Sequence, residues 1–426
     1  MCKEAAGLLR GAGDRDEMDE MTDFDSIGST GPQTRIAVAC AGDPADVATY
    51  SGTPSSLLKG LEEAGVHALA LRGDLGPRAQ IWFERLLVAL ALRPADLLDP
   101  GALRTRRRSL RMTRGMSPIM PVARAWGARR GLTRLAPLDG VVQYGAGFDL
   151  RDGASYITLE DATLKQVVED FPWPWVGDPT PARLARMYAH VRRRYKRAKA
   201  CTFMSHWAAS SAIEDYGVHP MKVHVVGAGR NHEPPCPDRD WSSPRALFVG
   251  LDWERKNGPA VLRGFARLRE QWPDARLDVV GAHPALDMRG VHGHGPLSLA
   301  DARERGQVEA LFAQATFFAM PSLYEPAGIV YAEAQAAGLA SVATTSGGSR
   351  TIVGDAGILV DPLDDDAIAG AMLELADPAT AARLGARALA RSPRFTWRAV
   401  AERLLRALEP PGVNVDALEP FLSEEV

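Results

Sequence analysis

Short apolar runs rich in β-branched residues alternate with longer stretches of helical period along most of this chain, in two series. The first opens with RIAVAC (35–40), then a Gly/Ser-rich loop and a helix near Pro54 to Ala64, stopped by Gly65. HALAL (67–71) reads as the next strand and IWFERLLVALAL (81–92) as amphipathic helix. GVVQY (140–144) and YITL (156–159) are strands, Ala182 to Ala200 a helix, and CTFM (201–204) a strand. WAASSAIEDYG (207–217) is a helix with a glycine stop, and KVHVV (222–226) closes the series.

A polar, proline-rich linker from Asn231 to Pro244 precedes the second series. It runs ALFVG (246–250), a helix over 257–271, RLDVVG (276–281), a helix over 301–314, TFFAM (316–320) and a helix over 327–337. SVATT (341–345), GILV (357–360) and three C-terminal helices complete it. Such alternation predicts an α/β protein with two doubly wound, parallel-sheet, Rossmann-like domains, and a ligand where strand C-termini of the two face each other across a cleft. The expected division is an acidic disordered tail over 1–34, an N-terminal domain over 35–230, a linker over 231–244 and a C-terminal domain over 245–395. Residues 396–426 form a last helix and tail expected to cross back to the first domain.

With 426 residues, 46% hydrophobic, the chain can fill two cores. No apolar run reaches the length of a membrane span, and the acidic N-terminus lacks the order of a secretory signal. Cys2, Cys40, Cys201 and Cys236 lack metal-ligand spacing, so reduced thiols and a cytoplasmic location are expected.

Charge changes the picture more, because it is uneven: −5 over residues 1–34, +10 over 35–230 and −8 over 231–426. The basic excess lies in RTRRRSLRMTRG (104–115), continuing through Arg124, Arg129, Arg130 and Arg134, and in RLARMYAHVRRRYKRAKA (183–200). Its plain reading is a solvated arginine face. Its functional reading is attraction to an acidic acceptor or peripheral contact with an anionic membrane. No motif that reads nucleic acid accompanies the charge.

Candidate chemistry concentrates in PSLYEPAGIVYAEAQAAGLASVATTSGGSRTIV (321–353). Pro326 suits the first position of a helix, which leaves Glu325 at its mouth with the free N–H groups of Ala327, Gly328 and Ile329 facing a diphosphate. Glu333 lies about 12 Å further along a regular helix. Two glutamates usually mark a solvated face, but the apolar surroundings of Glu333 bury it, and a buried acid needs a partner. A sugar at one carboxylate and a ribose at the other fit this spacing. Arg255 and Lys256, in FVGLDWERKNG (248–258), sit at a helix start, where cations are unfavourable without an anion. Gly52 and Thr53, in YSGTPSSLL (50–58), open a helix that a phosphate can approach, or simply mark a helix entrance.

ALFVGLDWERKNG, the E-x7-E run from Glu325 to Glu333, the Gly347-Gly348 loop and FTW (395–397) together resemble family-4 retaining glycosyltransferases of the GT-B fold. The resemblance spans nearly all of residues 35–408. It implies a nucleoside diphosphate sugar as donor, no required cofactor and an N-terminal domain on the acceptor side. By it, Lys256 neutralises the diphosphate, Glu325 holds sugar hydroxyls, Glu333 holds the ribose, and Gly52 approaches the diphosphate from the other domain. Three positions depart from the family pattern. Leu251 stands where an arginine is usual, with Arg255 as the compensating charge. Glu160 replaces a histidine before Asp161. Thr351 replaces a glutamate after the glycine pair. Glu160 is therefore either a base that activates an acceptor or a structural carboxylate, and Asp161 a substrate contact. The expected reaction moves a hexosyl unit to an unidentified natural product, peptide, polysaccharide or lipid headgroup, with configuration retained.

No metal is expected. The D-x-D triplets (Asp14 to Asp16, Asp23 to Asp25, Asp238 to Asp240, Asp364 to Asp366) read as solvated acids, and His292 and His294 as loop residues. An NAD(P)-dependent oxidoreductase is the rival reading of VVGAGRNHEP (225–234), weakened by Pro234 and Pro235 where a helix must open. Others are a catalytically weak nucleotide-sugar-binding partner of another transferase, and phosphorolysis, which lacks a phosphate-binding lysine motif.

Overall fold

The computed structural model describes residues 33–409 apart from 93–99, 113–116, 118, 146, 151–154, 172–175 and 178. The expected tail thus lies almost wholly outside the described residues, as do Asp14 to Asp16, Asp23 to Asp25 and everything after Glu409.

Two parallel six-stranded sheets organise the rest. In the first, β1 (Arg35–Cys40), β2 (His67–Arg72), β3 (Gly140–Tyr144), β4 (Tyr156–Glu160), β5 (Ala200–Phe203) and β6 (Val223–Val225) lie in the order β2-β1-β3-β4-β5-β6. In the second, β7 (Arg245–Val249), β8 (Arg276–Val280), β9 (Val291–Gly295), β10 (Phe317–Ala319), β11 (Ala340–Thr344) and β12 (Gly357–Val360) lie in the order β12-β11-β10-β7-β8-β9. Helices cover both faces, so central strands such as β3, β4 and β11 are buried at every residue and read as apolar runs rather than alternating ones. Each sheet reverses its winding once, between β1 and β3 and between β7 and β10. The loops after β1 and β7 leave the sheets at these switch points, where α/β folds bind ligands.

Two parts escaped the sequence reading, and a third, read there as a helix, differs in its burial. VHGHG forms edge strand β9, so His292 and His294 are strand residues; His294 bonds Asp278 on β8 at 2.8 Å. The arginine-rich run after β2 is helical: α2 (Pro77–Ala91) is followed by α3 (Pro100–Met112) and α4 (Met120–Leu135). The second basic stretch is α6 (Pro181–Arg197), which follows α5 (Leu164–Glu169) and is partly internal, with Arg194 fully buried.

The segment after β6 enters no helix. Gly229 packs so closely on the Trp397 indole that a Cβ would lie 2.4 Å from it, and Gly227 lies by Phe395 and Arg403. These glycines serve chain packing, and the dinucleotide-binding reading has no helix to stand on. Trp397 begins the last helix, α14 (Trp397–Leu408), which lies on α1 (Thr53–Glu63): a Cβ on Gly60 would meet the Trp397 backbone at 2.4 Å. Arg403 of α14 donates to the Val226 carbonyl at 2.7 Å. In the linker, Arg239 donates to the carbonyls of Phe312 and Ala337 at 3.1 and 3.0 Å and ties that segment to the second sheet's helices.

Candidate active site

The loop after β7 ends at Asn257, held in the left-handed region at φ 62° before α8 (Gly258–Gln271). Its buried amide donates to the carbonyls of Pro321 and Pro362, at 3.1 and 2.7 Å, in the loops after β10 and β12. Three loops at strand C-termini are locked together by one side chain, which aims the two preceding residues. Lys256 Nζ reaches Glu325 Oε2, where Arg255 (3.5 Å) and the Ser322 hydroxyl (3.3 Å) also converge. Arg255 further donates to the Tyr324 carbonyl at 3.2 Å. Burial pushes the Glu325 carboxyl up, but Lys256 and Arg255 outweigh it and hold it below the usual carboxylate range. Burial pulls Lys256 down against the opposing attraction of Glu325. The result is a desolvated ion cluster at a switch point.

Pro326 does not begin the next helix. Glu325 pairs with Gly347 in a short parallel bridge, and α10 (Ile329–Ala336) opens after Gly328, left-handed at φ 80°. The Gly347-Gly348 pair permits the bridge: a Cβ on Gly347 would sit 2.2 Å from the Glu325 carbonyl oxygen, and one on Gly348 2.1 Å from that of Pro326. Ala327 and Gly328 therefore belong to a turn, and Ile329 supplies the first helical N–H, which has no intrahelical partner. Glu333 is buried on the second turn of α10, where it accepts the Asn231 backbone N–H and feels Arg230. Burial dominates, and its carboxyl is pushed up to about 8.

From the other lobe, Tyr50, Ser51 and Gly52 are left-handed in succession (φ 48°, 55° and 81°) just before α1. Glycine suits this conformation; the two side-chain-bearing residues are strained in it. The Asn231 side chain clamps this loop, donating to the Ser51 carbonyl at 3.0 Å and accepting from Trp397 at 2.8 Å. Asn231 thus links the Gly52 loop, the last helix and Glu333. Thr53 is buried with its hydroxyl bonded to Tyr144, whose ring meets Tyr50 edge-on at 5.0 Å.

The end of β4 corrects one expectation. Glu160 is 2% exposed and both its oxygens are engaged, one by the buried Arg194 and the other by the Tyr195 hydroxyl at 2.9 Å. Both oxygens are turned to the interior of the lobe, which favours the structural alternative over the base. Asp161 is the residue that enters the cleft. Burial raises its carboxyl to about 6, with Glu160 and Glu325 adding repulsion, and it lies near Tyr50 and Tyr144. The lobes also touch directly: Phe171 stacks on Tyr324 at 4.6 Å, and the His206 N–H donates to Thr351 Oγ1 at 3.1 Å.

Sequence reasoning missed Ser322, Tyr324, Asn231 and Tyr144. Asn257, directly before Gly-Pro at a helix start, was the one with a local signal. Leu251 is 72% exposed, without the charge usual there. Among the described residues no cluster of three or more metal-type ligands occurs. Asp364 caps α12 (Asp365–Ala376), while Asp365 and Asp366 pair with Arg263 and Arg267.

Comparison with known proteins agrees with this geometry. Residues 243–377 match the family described as Glycosyl transferases group 1. A D-inositol 3-phosphate glycosyltransferase of Corynebacterium diphtheriae is 29% identical over 219 residues, 45% of this chain and 51% of that protein. A GDP-mannose-dependent alpha-(1-6)-phosphatidylinositol monomannoside mannosyltransferase of Mycolicibacterium smegmatis is 32% identical over 222 residues, 46% of this chain and 58% of that protein. The chain thus matches about half the length of these curated relatives. A sucrose-phosphate synthase of Thermosynechococcus elongatus superposes with a TM-score of 0.56 at 18% identity, over 88% of this chain and 98% of that one. A lipopolysaccharide outer core galactosyltransferase does so at 0.56 and 13%, over 88% and 99%. The fold is GT-B, two Rossmann-like lobes facing across a cleft, and the resemblance to family-4 glycosyltransferases is borne out.

Proposed function

We propose that this chain is a retaining glycosyltransferase that moves a hexosyl unit from a nucleoside diphosphate sugar to an acceptor hydroxyl. The carrying observation is the desolvated Lys256–Arg255–Glu325 cluster, built at one switch point and within electrostatic reach of Asp161 in the other lobe. A pyrophosphate seated there meets the Lys256 ammonium, the Arg255 guanidinium and the N–H groups opening α10. As the bond from the anomeric carbon to the phosphate oxygen breaks, these groups balance the charge developing on the departing diphosphate. Glu325 keeps Lys256 aimed and takes the sugar hydroxyls, and Glu333, beside Asn231, takes the ribose. The acceptor hydroxyl attacks from the face that the leaving group vacates, and its proton passes to the departing phosphate oxygen. Asp161 orients the acceptor from the N-terminal lobe. This reading needs no metal or redox cofactor.

Two of the relatives are named for an inositol phosphate and a phosphatidylinositol monomannoside, so a phosphorylated or lipid-linked polyol is the acceptor class to test first. An array of nucleoside diphosphate sugars, scored by mass spectrometry for hydrolysis and for transfer to such polyols, tests the proposal. One donor turned over by the wild type, and lost in Glu325→Ala, is expected. Tight nucleotide binding without turnover of any donor would instead make the chain a binding partner of another transferase.

A further inference from the structure

The edge of the first sheet carries a surface that the proposed reaction does not use. From β2 the chain enters α2, whose outer face exposes Trp82 (71%), Leu86 (54%) and Leu90 (74%) at successive four-residue intervals. Val88 is buried on this helix, which α3 contacts. Helix α4 repeats the pattern, with Val122 and Trp126 exposed four residues apart. Helix α4 packs against the turn that leads into α2, where a Cβ on Gly127 would lie 2.0 Å from the Asp74 carbonyl oxygen. Exposed large apolar side chains at helical spacing on these two helices cost free energy in water and call for a cover.

Charge decides what covers them. Arginines flank both stripes: Arg85 lies over the Trp82 ring at 5.9 Å, and Arg130 over the Trp126 ring at 3.5 Å. Arg107 and Arg108 are exposed on α3 beside α2. A second copy of the chain laid on this face would set arginine against arginine. A bilayer of anionic lipids meets both needs, because interfacial tryptophans enter the headgroup layer while arginines reach phosphates. We propose that α2, α3 and α4 form an interfacial docking surface for an anionic membrane.

The surface also borders the cleft. At the N-terminal end of α4, Arg124 donates to the Gly147 carbonyl beyond the end of β3, at 3.5 Å, and it acts electrostatically on Tyr50. Docking would therefore hold the cleft mouth at the lipid surface, where a lipid-borne acceptor resides. This last step rests on the proposed transferase reading; the docking itself does not.

Flotation of the full chain with phosphatidylcholine vesicles, with and without phosphatidylglycerol, tests it. Binding to the anionic vesicles alone is expected, lost by at least about tenfold in Arg107→Glu/Arg108→Glu and in Trp82→Ser/Leu90→Ser. Unchanged thermal midpoints and unchanged donor hydrolysis in solution would show that both variants keep fold and site. Equal flotation of the wild type and both variants, or none by any, overturns the proposal. So does a concentration-dependent dimer that Trp82→Ser/Leu90→Ser dissolves. A failed donor assay with intact flotation would count against the transferase reading alone.

Discussion

The two lobes share a winding plan and use their charge in opposite ways. Past β8 the C-terminal sheet adds β9, whereas the N-terminal sheet stops at β2 and sends α2, α3 and α4 outward. At the C-terminal switch point the charged groups converge on the open cleft, where Lys256 and Arg255 meet Glu325. In the N-terminal lobe the strongest pair, Glu160 with Arg194, is sealed behind the strand ends, and most remaining arginines face outward. A charge cluster at a strand end is therefore not by itself a site. What separates the two is access: Arg194 and Glu160 are 0% and 2% exposed, Lys256 and Glu325 12% and 8%. At the end of β4 the distinction turns on one residue, because successive side chains point to opposite faces: Glu160 inward to Arg194, Asp161 to the cleft.

The largest expected effect would break this contrast from the structural side. Glu160→Ala leaves the Arg194 guanidinium buried without its anion, which costs about 3–5 kcal/mol. Denaturant titration should show that loss, while kcat of the folded fraction stays near wild type. A collapse of kcat at unchanged stability would make Glu160 catalytic and reverse the comparison. Lys256→Ala is the counterpart. It should lower kcat on the order of 10²-fold or more, as removal of a preorganised charge stabiliser does, and leave the N-terminal lobe intact. Transfer measured under donor saturation checks it, and a change below about twofold would remove Lys256 from the chemistry.

Glu333 sharpens the comparison through pH. Its carboxyl rises from 4.5 to about 8 on folding, so the folded protein holds a proton that the unfolded chain has released between those values. Stability from this group is complete below about pH 4.5 and is lost as pH climbs through about 8. A fall of the order of 2 kcal/mol across that window is expected. Glu333→Gln should flatten this fall and gain stability at alkaline pH, seen in melting temperatures across the range. A wild-type profile with no decline between about pH 4.5 and 8 would mean that Asn231 and Arg230 already hold the carboxylate ionised.

Much of this architecture was legible because buried parallel strands are plain apolar runs: RIAVAC, GVVQY and SVATT announce themselves. VHGHG did not, since an edge strand needs few apolar residues and this one offers a single valine. Helices α3 and α4 were hidden by arginines, which favour helix but blur its apolar period. In the site, Lys256, Glu325 and Glu333 could be found from their place at helix starts and in an apolar helix. The helix start at Pro326 was misplaced because the Glu325–Gly347 bridge, a contact remote in sequence, draws that turn into the sheet. Asn231 and Tyr324 carry no local sign; their roles arise when the lobes come together.

Thr351 offers the smallest effect and the most direct test of how the lobes meet. His206 is the first residue of α7 (His206–Glu214), so its N–H has no partner within that helix. Thr351 Oγ1, from the opposite lobe, accepts it at 3.1 Å, and both groups are largely withdrawn from water. The bond thus caps a helix across the cleft with a neutral hydroxyl where the resembled family places a carboxylate. Removing it by Thr351→Ala should cost about 1 kcal/mol in the closed arrangement, because water satisfies the freed N–H once the lobes part. The expected reading is a donor KM raised about fivefold at nearly constant kcat, since closure precedes chemistry, with Thr351→Ser restoring it. A kcat that falls while KM holds would instead place Thr351 at the transferring sugar, and the contrast between a reactive lobe and a supporting lobe would then run through this single hydroxyl.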